Sequence, residues 1–237
     1  MFTETAELYD AFYAWKDYPA EAERIHAIIG SRIASARTLL DVACGTGAHL
    51  EQLRAWYEVE GLDVDAKLLA IARGKLPGVR LHQADMRDFD LGRQFDVVTC
   101  LFSSIGYVED ERQLRGAVAR MTDHLAPGGV LLVEPWHSRE KFDPHHIGRA
   151  LFVDQPDLQA VRLNGSRVEG DRSIFDFHYL VATPGKVEHR TETHSLGLFS
   201  DAQYQQALEL AGLETEHDAE GLMGRGLWIG RRSPTTT

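Results

Sequence analysis

The chain has 237 residues, 43% of them hydrophobic and 26% charged, with a formal net charge of −11 at neutral pH. That length suits one α/β domain with an appended subdomain and a sizeable core. The acidic balance disfavours a nucleic-acid partner, because phosphate binding is dominated by Lys and Arg, but it leaves room for a small anionic ligand in a local basic pocket. No apolar run approaches the ~20 residues that a bilayer span needs, so no membrane partner is expected. The opening MFTETAELYD lacks the basic-then-apolar order of a signal peptide, and a cytoplasmic location is expected. Cys44 and Cys100 sit inside apolar stretches without metal-ligand spacing and read as small buried hydrophobes of a reducing compartment.

Strand-length apolar runs alternate with helical patterns through the first 135 residues, the pattern of βαβ units and a parallel sheet. Strands are expected at 39–44 (LLDVAC), 57–62, 79–83, 95–101 and 129–135, and helices at about 20–33, 47–55, 65–75 and 110–125. Residues 84–94 are too few and too polar for a good helix. From 136 to 158 there is no steady period, which reads as a long loop or lid with one helical turn. Between 159 and 199 the period falls close to two, giving three or four antiparallel strands with Asn164-Gly165 and Pro184-Gly185 as turn signals. In IFDFHYLV, Phe175, Phe177 and Tyr179 share one face, while Asp176, His178 and Leu180 share the other. A helix over 200–211 opens at Ser200 as N-cap, two strands follow near 213–219 and 226–230, and the tail RRSPTTT is expected to be disordered.

The turn after the first strand, LLDVACGTGAHL, poses the central question of what it holds. A dinucleotide loop wants G-x-G-x-x-G; here Gly45 and Gly47 are followed by Leu50 in the third glycine's place, which disfavours a nicotinamide dehydrogenase. In open α/β sheets the ligand lies beyond the carboxyl ends of the strands, where strand order reverses. After the second strand comes Asp63, whose two oxygens can accept from both hydroxyls of a ribose. After the third comes Asp85, able to accept from an exocyclic amine of adenine with Met86 against the ring face. Either acid alone is equally compatible with a solvated loop end or a helix cap; their placement after successive strands favours a nucleoside. Asp41 lies within a strand end, where an unpaired charge is costly, so it organises the turn or accepts from a cationic ligand group.

The series LLDVACGTGAHL, GLDVD, ADMRDF and FSSIGY resembles the class I S-adenosylmethionine-dependent methyltransferases. It is particularly similar to the N,N-dimethyltransferases that act on TDP-linked 3-amino sugars in macrolide desosamine and mycaminose formation. The similarity runs through AELYDAFY, KDY, DMRDFDLGRQF, LAPGGVLLVEPW, HYLVATPGKVEH, LFSDAQY and GRGLWIG. The resemblance implies a Rossmann-like α/β fold: a seven-stranded, mostly parallel sheet with helices on both faces, its last hairpin antiparallel, and an added antiparallel β lid. It divides the chain into a cofactor-binding core with an N-terminal cover (1–135), an acceptor-binding lid (136–199) and a return to the core sheet (200–237). It implies that Ala43, Gly45 and Gly47 approach the methionine part of S-adenosylmethionine with Asp41 near its amino group. Asp63 would hold the ribose, Asp85 and Met86 the adenine, and Leu101 and Phe102 would close the site beside the sulfonium. Tyr9, Tyr13 and Tyr18 lie in the segment that folds over the cofactor in this family, with Tyr13 on the cofactor and Tyr9 and Tyr18 toward the acceptor.

On the acceptor side the sequence offers Tyr107 in SSIGYVED, Glu134, Trp136 and His137 in VEPWH, His178, His194 and, between glycines, Arg225, whose guanidinium could reach a carboxylate or phosphate. Tyr107 and His178 are the candidates for proton removal, although methyl transfer to a neutral amine depends first on alignment. His145 and His146 lack a third ligand in an evident pattern, and no metal site is expected. The amino-sugar enzymes begin their lid EPWWFPE and carry an SxREG stretch, whereas this chain has EPWHSREKF and GSRVEGDRS. N-, O- or C-methylation of another small secondary metabolite therefore stands as the alternative, with a cofactor-sensing module as a reading of a different class. A monomer or homodimer is expected.

Overall fold

The computed structural model describes residues 5–145 and 147–234. Seven strands form one sheet: β1 Thr38–Val42, β2 Glu58–Asp63, β3 Arg80–Gln83, β4 Phe95–Cys100, β5 Leu125–Val133, β10 Leu213–Asp218 and β11 Leu227–Arg232. Their order across the sheet is β10-β11-β5-β4-β1-β2-β3, with β11 antiparallel to both β5 and β10 and the remaining pairs parallel. The remaining strands form the separate antiparallel lid sheet: β6 Leu151–Gln155, β7 Leu158–Glu169, β8 Arg172–Thr183 and β9 Lys186–Gly197.

Alternation along the central strands explains why helices cover both faces. Leu40 and Val42 point to one side with Val98, Cys100, Leu131 and Val133, whereas Leu39 points to the other with Val97, Val130 and Leu132. The first side is closed by α5 Glu111–Asp123 (Leu114, Val118, Met121) and α6 Asp201–Leu210 (Tyr204, Leu208). The second is closed by α2 Tyr18–Gly30 (Ala22, Ile25, Ile29), α3 Ala48–Leu53 (Leu50, Leu53) and α4 Ala66–Lys75 (Leu69). Each apolar stripe recurs at three- and four-residue spacing, and side-chain caps set the helix starts: Asp17 for α2, Asp65 for α4, Asp110 for α5 and Ser200, in a capping box with Gln203, for α6. The short α1 Tyr9–Phe12 precedes them, and Leu8 and Phe12 pack against Leu151, Val153, Ala160, Tyr179 and Val181 of the lid. No described helix is long and apolar enough to cross a membrane.

Three expectations are corrected. Leu151–Gln155, expected to be loop, is strand β6, paired with β7 through the two-residue turn Pro156-Asp157; its five residues are too few to display a period in sequence. Asn164-Gly165 is not a turn but lies mid-strand in β7 opposite Phe177 and Asp176. The hairpin instead closes at Gly170-Asp171, where Gly170 takes φ +58°, and β8 turns into β9 at Pro184-Gly185, with Gly185 at +78°. Arg231 and Arg232 belong to β11 rather than to a loose tail, and the Arg232 guanidinium donates to the carbonyls of Thr122 and Leu125; residues 235–237 lie outside the described residues.

Gly61 in β2 is closely covered by its neighbours: a Cβ there would stand 2.7 Å from both Cys44 Sγ and Leu50 Cδ1 and 2.8 Å from Leu81 Cδ2. Gly61→Ala is expected to destabilise the fold by about 1–3 kcal/mol through overpacking. Urea denaturation measures this as a lower midpoint at unchanged slope.

Candidate active site

β1 pairs with β2 on one side and β4 on the other, and the chain progresses outward from each, so strand order reverses between β1 and β4. Adjacent connections leave in opposite directions there and open a crevice beyond Val42 and Cys100. A cavity of about 570 Å³ occupies it, roofed by the N-terminal segment and the inner face of the lid.

Two left-handed turns form its floor. After β1 the backbone takes φ +60° at Ala43, +56° at Gly45 and +76° at Gly47, and it is tied to β2 where Cys44 N–H donates to Leu62 C=O (2.9 Å) and Gly45 N–H to Asp63 Oδ2 (2.8 Å). The other Asp63 oxygen accepts from Asp65 N–H at 2.8 Å. After β4, Phe102 (φ +53°) and Ser103 (φ +58°) form the second turn without any glycine. It is held by the fully buried Glu134, whose Oε2 accepts from Phe102 N–H at 2.7 Å, and by the Ser103 hydroxyl donating to Pro135 C=O at 2.7 Å. Glu134 Oε1 accepts from the Arg225 guanidinium (3.1 Å), which lies over the rings of Phe102 and Trp136.

Of the residues singled out in sequence, Tyr9, Tyr13, Ala43, Gly45, Asp63, Asp85, Met86, Phe102, Tyr107, Trp136, His194 and Arg225 line this one cavity. Seven others do not. Asp41 is buried beneath the turn and accepts from the Thr99 hydroxyl (2.7 Å). Gly47 caps α3, where a Cβ would meet Leu76 Cδ1 at 2.6 Å, so this glycine serves helix packing. Leu101 is in the core, and Glu134 acts behind the wall. Tyr18 lies edge-on to His49 beneath Lys16, and His137 stands off the cavity edge-on to Trp136. His178 is on the outer face of the lid, exposed and stacked on His189, because the two-residue period that turns Phe177 inward turns His178 out. The structure thereby removes His178 from acceptor binding and from proton removal. His146 lies outside the described residues.

The lid contributes Arg162, Asn164 and Leu196, which the sequence did not single out for the site, beside the aromatic face of β8 that it did. Arg162 of β7 is buried, donates to the Tyr13 hydroxyl at 3.0 Å and packs on Phe177; Asn164, Phe175, Phe177 and Leu196 join it on the cavity wall. An arginine in register with the buried Ala160 was the available signal, since a cation on an apolar strand face needs a partner.

The site suits an adenosyl ligand with a methionine tail. Asp63 accepts a backbone N–H on each of its oxygens and still faces the cavity, where a carboxylate can accept from further donors. Burial raises its pKa, against which the N–H bonds work. Asp85, at the opposite end, is gripped by the Arg87 guanidinium, which holds its carboxyl below the usual range. Desolvation moves Asp41 most clearly, to about 6, against the nearby His49 and the Thr99 hydrogen bond. An acid with a raised folded pKa binds more protons when folded, so this group's contribution to stability falls as pH rises from about 4 to 6. Asp41→Asn keeps an acceptor for Thr99 and is expected to stabilise the protein at pH 7 by on the order of 2–3 kcal/mol, flattening the dependence between pH 4 and 7. Thermal melts across that range measure it.

A family model described as a methyltransferase domain matches residues 39–129, from β1 to the start of the apolar part of β5. The chain is 43% identical over 229 residues to the dTDP-3-amino-3,4,6-trideoxy-alpha-D-glucopyranose N,N-dimethyltransferase of Streptomyces venezuelae, covering 95% of this chain and 96% of the relative. It is 40% identical to the dTDP-4-amino-2,3,4,6-tetradeoxy-D-glucose N,N-dimethyltransferase of Saccharopolyspora spinosa, over 96% of this chain and 92% of the relative. Among solved structures, that of CalS10 with S-adenosylmethionine bound, an amino pentose methyltransferase from Micromonospora echinaspora, superposes with a TM-score of 0.87 at 38% identity, covering 95% of this chain and 97% of its own. The glycine turn, the carboxylates that follow β2 and β3, and similarity extending from the N-terminal cover through the lid place this chain among the S-adenosylmethionine-dependent methyltransferases, in the family that includes the TDP-amino-sugar N,N-dimethyltransferases.

Proposed function

We propose that this methyltransferase methylates the 3-amino group of a TDP-linked deoxysugar. The observation that carries the reading is that one cavity is bounded below by the glycine turn and Asp63 and above by the lid's inner face, so donor and acceptor share one enclosure. Bound S-adenosylmethionine supplies a methyl group already activated on a sulfonium. The chain's own work is then to align an amine with that methyl and to exclude water. Ala43, Gly45 and Tyr13 are assigned to the methionine part, Asp63 to the ribose, Asp85 and Met86 to the adenine, and Phe102 to the wall beside the sulfonium. Tyr9, Tyr107, Trp136, Phe175 and Phe177 form an aromatic enclosure suited to a deoxysugar, which has few hydroxyls to satisfy.

Arg225 is assigned to the diphosphate. Its guanidinium spends one nitrogen on Glu134, while its buried Nε has no partner among the described residues. A fork with donors to spare at a cavity wall suits a phosphate oxygen.

A mass-spectrometric screen with S-adenosylmethionine and TDP-3-amino and TDP-4-amino sugars is expected to show one and then two added methyl masses on the 3-amino sugar. Gain confined to an unrelated metabolite would overturn the acceptor assignment while leaving methyl transfer in place. Asp63→Ala is expected to weaken S-adenosylmethionine binding by roughly 10- to 100-fold, the loss of about 1.5–3 kcal/mol of charge-assisted hydrogen bonding, as measured by calorimetry. Arg225→Lys keeps the charge but loses the planar fork, and KM for the TDP-sugar is expected to rise several-fold while cofactor affinity stays within twofold.

A further inference from the structure

Behind Tyr107 lies a chain of polar groups that alignment alone does not require. Tyr107 ends the 3₁₀ turn Ser104–Tyr107, and Gly106 lets that turn close on the lid: a Cβ there would stand 3.0 Å from Trp136 Cβ and 3.1 Å from Leu196 Cδ2. The Tyr107 hydroxyl is 2.6 Å from Nδ1 of His194, which is 1% exposed on β9 with its ring edge-on to Phe177 at 4.8 Å. His194 Nε2 faces Glu192 Oε2 at 3.6 Å. That buried carboxylate oxygen also accepts from the Thr5 hydroxyl at 2.8 Å and the Tyr179 hydroxyl at 3.2 Å. The order from cavity to interior is hydroxyl, imidazole, carboxylate.

We propose that His194, backed by Glu192, receives through the Tyr107 hydroxyl the proton that the acceptor amine must lose. The proposal rests on the reading that the acceptor is an amine. The amine lone pair forms the new N–C bond as the methyl's bond to sulfur breaks, with its electron pair staying on sulfur. The N–H proton passes to the Tyr107 oxygen while the Tyr107 O–H proton passes to His194 Nδ1. Tyr107 ends as it began, and the positive charge rests on an imidazolium opposite Glu192. A second methylation needs this most, because a protonated secondary amine has no lone pair to offer. Burial holds the Tyr107 hydroxyl well above its usual range, so it passes a proton on rather than ionising, and burial lowers His194, so the ring is neutral and able to accept near pH 7.

Among the described residues, the titratable and charged groups that face this ring are Tyr107, Glu192 and Arg162 from β7, with Tyr179 of β8 beyond Glu192 and Tyr9 and Tyr13 of the N-terminal segment beyond Tyr107. Arg162 opposes protonation and Glu192 favours it. Because neutral His194 is the accepting form, kcat should fall as pH drops through its pKa.

His194→Gln is expected to lower kcat for the second methylation about 100-fold, within the range for a lost proton acceptor. Monomethylated product should accumulate, the low-pH limb of the kcat profile should disappear, and S-adenosylmethionine affinity and acceptor KM should stay within twofold. Tyr107→Phe and Glu192→Gln should reproduce the monomethyl accumulation. Nitrogen-15 NMR of the wild-type protein without any substrate should find His194 protonated on Nε2 with Nδ1 accepting, and Tyr107→Phe should shift the Nδ1 signal. A wild-type kcat profile in folded His194→Gln, or a ring protonated on Nδ1, overturns the relay and leaves methyl transfer to an amine intact. A wild-type enzyme that methylates oxygen or carbon but no amine overturns the acceptor reading and the relay with it.

Discussion

Two buried carboxylates, each accepting a backbone N–H from a left-handed turn, are the interaction on which the rest of the site depends. Asp63 holds Gly45 and Glu134 holds Phe102, one on each side of the strand-order reversal. Left-handed backbone at non-glycine residues costs about 1–3 kcal/mol each, and Ala43, Phe102 and Ser103 all carry it. A hydrogen bond to a charged acceptor returns about 1.5–3 kcal/mol, so the Glu134 clamp on Phe102 offsets strain of the order carried by that one residue. Both turns consequently present backbone and aromatic surface to the same crevice.

The cover over that crevice follows from simple packing. Leu8 and Phe12 at the front of the chain complete an apolar cluster with the inner lid residues Leu151, Val153, Ala160, Tyr179 and Val181. Burying that face ties the N-terminal segment to the lid, and Arg162 reinforces the join through the Tyr13 hydroxyl. The N-terminal segment and the lid, both of which border the cavity, are thereby held together through one small core. Water exclusion, which methyl transfer requires, is built into the same contacts that stabilise the lid.

Charge is distributed for two tasks. On the floor, buried carboxylates hold backbone N–H groups and the Thr99 hydroxyl, and desolvation raises Asp41 and Asp63 at a cost in stability. Arg162 from the lid and Arg225 from the loop before β11 bring cations to an aromatic wall in a protein that is acidic overall. That local inversion sets the field inside the cavity apart from the field of the acidic surface.

The sequence by itself determined the sheet, most helices and the floor of the site. Apolar periodicity repeats along each element, and the cap residues Asp65, Asp110 and Ser200 act on their own neighbours, so these features are local and legible. Asp63, Asp85 and the glycine turn were readable for the same reason, because each lies at or just past the carboxyl end of a strand. What only the tertiary structure decided is which side chains from distant segments meet. The short strand β6 needed its partner β7 to exist, and the register of β8 sent Phe177 inward and His178 out. Asp41, Glu134 and Gly47 proved to act behind the cavity wall, where burial and not residue type sets the role. Tyr107 and His194 stand 87 residues apart in the chain, and their 2.6 Å contact exists because the lid folds back over the strand ends, a long-range closure that no local pattern encodes.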